Sequence, residues 1–127
     1  MIIREVLDQF LKKQEERLSK RTYSGYASVI ELFGHFLQSY AWNFISKEEY
    51  DKYDEYEKQG REFADVYSHD EICHNIPEFL GYFMLRKVMA GKEFTQKTAP
   101  RVMRSLLRWM TKKGLITKET MEAYLPR

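Results

Sequence analysis

Thr22-Tyr23-Ser24-Gly25-Tyr26-Ala27-Ser28-Val29-Ile30-Glu31-Leu32-Phe33-Gly34-His35-Phe36-Leu37-Gln38-Ser39-Tyr40 is the stretch that decides the fold. Tyr23, Tyr26, Ile30, Phe33, Leu37 and Tyr40 step by three or four, the spacing of one face of a helix. Nothing here alternates in the two-residue rhythm of a strand. The stretch predicts a helix of about five turns, long enough to need several neighbours along its seam.

Working outward, the chain keeps the same period. Residues 2–17 predict a first helix with Ile3, Val6, Leu7, Phe10 and Leu11 on one side. The break at residues 18–22 offers two N-cap candidates, Ser19 and Thr22. On the other side, residues 41–45 read as a connector whose Trp42 and Phe44 fold down as a lid. Ser46 with Glu49 has the capping-box form and opens a third helix. Its stripe of Tyr53, Tyr56, Gly60, Phe63 and Tyr67 holds one phase, which predicts a single helix kinked or frayed at Gly60. After a loop over residues 68–76, Pro77 marks a new start, and Phe79, Leu80, Phe83, Met84 and Val88 supply an apolar face that Gly91 ends. The last long helix is expected from Thr98, with Pro100 in its first turn, to Lys113. Gly114 then sits where a left-handed cap belongs, with Leu115 folding back. Thr117 caps a short terminal helix through Tyr124. The expectation is an all-α, single-domain bundle of five to six helices over residues 1–127.

Composition narrows the class. At 127 residues, 43% hydrophobic and 15% aromatic, the chain has material for a real core, and three Pro and six Gly exclude collagen-like or disordered chains. One Cys excludes a disulfide scaffold and suits a reducing compartment. Arg4, Glu5 and Asp8 interrupt any secretory apolar run, and no window reaches the roughly 18 apolar residues of a membrane span. A cytoplasmic protein with no membrane association is expected.

The formal charge of +2 conceals a strong segregation. Residues 1–45 carry six Lys/Arg against five Asp/Glu, residues 46–78 four against eleven, and residues 79–127 eleven against three. Between Thr95 and Lys118 there are seven cations and no acid. On a helix, Lys97, Arg101, Arg104, Arg108 and Lys112 fall within an arc of roughly 80°. Val102, Met103, Leu106, Leu107 and Met110 take the opposite side, with Trp109 between. Like charges at this spacing repel by a few tenths of a kcal/mol per pair, a cost that ordinary solvated faces avoid by alternating signs. Two readings stay open. The row meets an external polyanion such as a phosphate backbone, or the acidic middle segment folds against it and neutralises it.

Sites for chemistry are sparse. His69, Asp70, Glu71, Cys73 and His74 bring metal-capable groups into six residues, but a structural zinc site wants two separated pairs and there is no second Cys. Adjacent Cys73 and His74 make a poor nucleophile pair, and His35 reads as a helix-surface residue. No Gly-rich phosphate loop or serine elbow is present. Neither an enzyme nor a metal or other cofactor is expected. Tyr50, Tyr53, Tyr56, Phe63 and Tyr67 read either as core or as a protein-binding or self-association face.

Thr22-Tyr23-Ser24-Gly25-Tyr26 followed by Ile30, Phe33 and Phe36-Leu37 resembles the opening of the core-binding domain of tyrosine recombinases and phage integrases. Phe10-Leu11 and Leu18-Ser19 fit that domain's first helix and turn. Thr98 to Val102, Leu107 to Met110 and Lys112 to Ile116 resemble its last helix and exit. These matches are patterns of residue class over about half the chain, and residues 46–76 stand apart as an acidic, Tyr-rich insertion. The resemblance implies a helical domain laid across double-stranded DNA. It would act here through Lys20, Arg21 and the row Lys97, Arg101, Arg104, Arg108 and Lys112, with Arg86 and Lys87 extending the patch. The family's catalytic Arg, His and Tyr have no counterpart, so strand cleavage is not implied. The expected function is a non-catalytic nucleic-acid-binding module, and the alternative is a helical adaptor or small homodimer using Tyr50, Tyr53, Tyr56 and Tyr67.

Overall fold

In a computed structural model, which describes residues 1–41, 45–86 and 91–126, side chains cap the starts of the first three helices. α1 (Ile3–Arg17) opens with the Ile2 N–H donating to Glu5 Oε1 at 3.1 Å. α2 (Lys20–Tyr40) is capped by Ser19, not Thr22, through the Thr22 N–H at 3.2 Å. α3 (Lys47–Lys58) is capped by Ser46, whose hydroxyl accepts from the Glu49 N–H. Trp42, Phe44, Lys87 and Val88 lie outside the described residues, so the expected lid and the end of the helix before Gly91 do too.

The single helix expected across Gly60 is two. Gly60 takes φ +75°, its N–H donates to Glu57 O, and the Arg61 N–H reaches back to Tyr56 O, which closes a Schellman cap. α4 (Phe63–Val66) follows after a four-residue connection, residues 59–62. The phase survived because the four-residue connection returns the chain to the same side of the core. Short 3-10 turns at His69–Glu71 and Cys73–Asn75 then lead into α5 (Ile76–Glu78), a π turn (Phe79–Phe83) and α6 (Met84–Arg86). The final helix starts earlier than Thr98: a π turn over Phe94–Thr98 runs without a break into α7 (Ala99–Lys112). Pro100 has no N–H to donate, and the wider turn before it absorbs that loss. Gly114, φ +75°, closes α7 with the same Schellman pattern to Thr111 and Met110. α8 (Lys118–Tyr124) is capped by Thr117.

The result is an all-α bundle with one continuous core and, among the described residues, only an isolated Ile2–Ser68 bridge in place of any strand. Phe33, Phe36, Phe79 and Phe83 form its aromatic centre, with ring centroids 5.1–6.3 Å apart. Phe10 of α1 joins Tyr26 of α2 and Trp109 of α7 at the other end. Tyr53, Phe63 and Tyr67 make a satellite cluster, in which Phe63 and Tyr67 stack at 4.2 Å.

Both cap glycines have open space where a Cβ would go, so substitution there strains only the backbone. Gly60→Ala and Gly114→Ala are each expected to lose about 1–2 kcal/mol by urea denaturation. Gly34→Ala, inside α2 with nothing near its Cβ position, is expected to gain up to about 1 kcal/mol.

Candidate functional site

α7 is amphipathic to its limit. Ala99, Val102, Met103, Leu106, Leu107 and Met110 are all fully buried, which turns Arg101, Arg108 and Lys112 out to solvent and leaves Arg104 half-buried. Among the described residues, no carboxylate or hydrogen-bond acceptor engages the side chains of Arg101, Arg104, Arg108 or Lys112. Lys97 differs: its ammonium lies 3.4 Å from Glu93, one turn back.

The acidic segment spends its charge elsewhere. Glu62 and Asp65 hold the Arg4 guanidinium, and the hydrogen bond to Asp65 is the main reason its pKa is raised. Glu49 pairs with Lys52, and Asp54 with Lys58. No described ion pair joins residues 46–78 to α7.

The other expected cations are dispersed. Lys20 and Arg21 are exposed on the first turn of α2. Arg86 is exposed and stacks 4.7 Å over the Tyr82 ring. Lys87 is outside the described residues.

What the sequence did not announce is a groove of about 500 Å³ where α1 meets α7. It is lined by Lys13, Gln14, Arg17, Ser105, Arg108, Trp109, Lys112 and Lys113, five cations and no acid. Only Arg108 and Lys112 belong to the expected row. The signal for the rest was present as Lys13 and Arg17 one turn apart on α1, but which helix they would face was not.

The tyrosine face is not formed as a unit. Tyr53 and Tyr67 are buried, their hydroxyls donating to Gln38 O at 2.9 Å and Glu49 O at 3.1 Å. Burial raises both phenols, Tyr67 up to about 12. Tyr56 is half-buried and Tyr50 is 41% exposed.

The His69–His74 run does not converge on a common point, and no described group of His, Cys, Asp or Glu is placed to hold a metal. His69 lies between the carbonyls of Met1 and Leu115, His74 pairs with Glu71 at 2.9 Å, and burial pushes the Cys73 thiol up to about 11. No described helix is long and apolar enough to cross a membrane.

No family model, curated protein or solved structure matches the chain.

Two measurements follow from this geometry. Replacing Arg101, Arg104 and Arg108 together by Gln is expected to leave folding stability within about 0.5 kcal/mol of the parent per site, because surface changes that break no internal contact do little. A marked loss in thermal denaturation would reveal an internal ion-pair role. The raised Cys73 pKa makes its contribution to stability complete below about pH 9 and lost as pH climbs towards 11. Cys73→Ala should therefore flatten that part of the urea-midpoint-against-pH curve.

Proposed function

We propose that this chain is a non-catalytic nucleic-acid-binding module that grips the phosphate backbone through α7. The observation that carries the reading is the row Arg101, Arg104, Arg108 and Lys112, held outward by a fully buried opposite face and paired with no carboxylate among the described residues. Three of the four are arginines, whose planar fork takes two phosphate oxygens at once. Lys97 can join them by exchanging Glu93 for a phosphate, since an exposed lysine–carboxylate pair is worth at most about 1 kcal/mol. The resemblance to integrase core-binding domains points the same way and makes duplex DNA the first ligand to try.

Protein binding through the tyrosines has less behind it, since Tyr53 and Tyr67 face inward. Sequence readout is a minor part of the proposal, because the row offers cations to a backbone more than amides to base edges.

Anisotropy of a labelled duplex, measured across salt concentrations, tests the reading. If five phosphates are neutralised, log K should fall against log salt with a slope near −4.5. The Arg101, Arg104 and Arg108 to Gln triple variant should reduce that slope by about 2.7, at roughly 0.9 per contact. A flat dependence, or no binding at low salt, overturns the proposal.

A further inference from the structure

The groove between α1 and α7 has an indole for one of its walls. Trp109 is half-buried, steadied by the edge of Phe10 at 5.9 Å, with the Lys113 ammonium 5.7 Å from its ring centroid. Lys113 is exposed on a flexible stem, so an arriving ring can displace it. Gln14, only 3% exposed, accepts from Arg17 Nε at 3.1 Å and Nη2 at 2.6 Å, which fixes the guanidinium on the groove wall.

We propose that this groove is a binding site for single-stranded nucleic acid, with an unpaired base against Trp109 and the flanking phosphates on Arg17, Arg108 and Lys112. The inference rests on the nucleic-acid reading above and adds strandedness to it. Two linings meet in this groove, a set of cations and an aromatic wall. Five cations line the groove and no acid does, only Lys13 having a neighbouring carboxylate in Glu16 at 3.9 Å, which selects a polyanion; a recessed indole adds nothing for a plain acidic peptide but offers a base its preferred stacking surface. At about 500 Å³ the groove has the scale of a small-ligand site. A paired duplex presents only backbone and groove edges to a protein, so its stacked bases cannot reach an indole set between two helices. An unpaired base at a gap, overhang or loop can.

The test uses the full chain carrying Trp42→Phe, which leaves Trp109 as the only indole. Titration with a short oligothymidylate should quench Trp109 emission by more than about half at saturation, as expected for base–indole stacking. A duplex of equal length should leave the emission nearly unchanged. Trp109→Leu should weaken oligothymidylate binding by about 5- to 150-fold while duplex affinity stays the same. Because Trp109 touches Phe10, the double variant Lys13→Gln, Arg17→Gln provides a second test away from the aromatic core, with its urea midpoint measured against the parent because Arg17 also holds the buried Gln14. It too should weaken the single strand more than the duplex.

Oligothymidylate binding without quenching, or unchanged affinity in both variants, overturns the groove proposal while the backbone-binding function stands. So does a polyglutamate peptide that binds this groove as tightly as the oligonucleotide. Absence of binding to both strand forms at low salt overturns the proposed function itself and the groove proposal with it.

Discussion

Complete withdrawal of one face of α7 from water is the constraint on which the rest depends. Five large apolar side chains, Val102, Met103, Leu106, Leu107 and Met110, are fully buried along it. Each contributes on the order of 1.5–3 kcal/mol of transfer free energy. Against that, crowding four cations on the other face costs only a few tenths of a kcal/mol per neighbouring pair. Burial wins by roughly tenfold, so the helix cannot rotate to separate its arginines. The exposed charge of Arg101, Arg108 and Lys112 is a geometric consequence of the core.

The same arithmetic explains why the acidic segment does not quench the row. α3 and α4 are anchored by Tyr53, Phe63 and Tyr67, and by Gln38, whose Oε1 accepts from the Phe63 N–H at 2.7 Å and whose carbonyl takes the Tyr53 hydroxyl. These contacts tie the segment to α2, and Arg4 of α1 takes up Glu62 and Asp65 there. Moving it onto α7 would mean unburying three aromatic rings to gain exposed ion pairs worth at most about 1 kcal/mol each. The molecule is left with charges of opposite sign on different elements, an arrangement whose field favours approach of a polyanion from the α7 side and opposes it from the α3 side.

Local rules reached far along this chain, and their failures share a cause. The Ser46, Thr117 and Gly114 caps were readable because a cap involves only residues within one turn. Ser19 and Thr22 both stood within reach of the first turn of α2, and the Thr22 N–H donating to the Ser19 hydroxyl decides for Ser19. Gly60 misled because helical phase carries across a short turn when both flanking segments face the same core. Pro100 misled because a π turn can supply the extra residue a proline needs, and no side-chain pattern marks one. Tyr53 and Tyr67 fitted a core and a surface equally well, since a phenol is both apolar and polar; carbonyls on α2 and α3 decided it.

Residue order alone determined the all-α class, the apolar seams of α1, α2 and α7, and the row of cations on α7, because each follows from periodicity within a single helix. Only the tertiary structure decided that the acidic segment keeps to Arg4 and its own lysines, and that Lys13, Gln14 and Arg17 meet Arg108, Trp109 and Lys112 across one groove. The groove joins residues more than ninety positions apart, and Arg4 meets Glu62 and Asp65 across about sixty. They are set by which buried faces fit together, a property of the whole core that no local window contains.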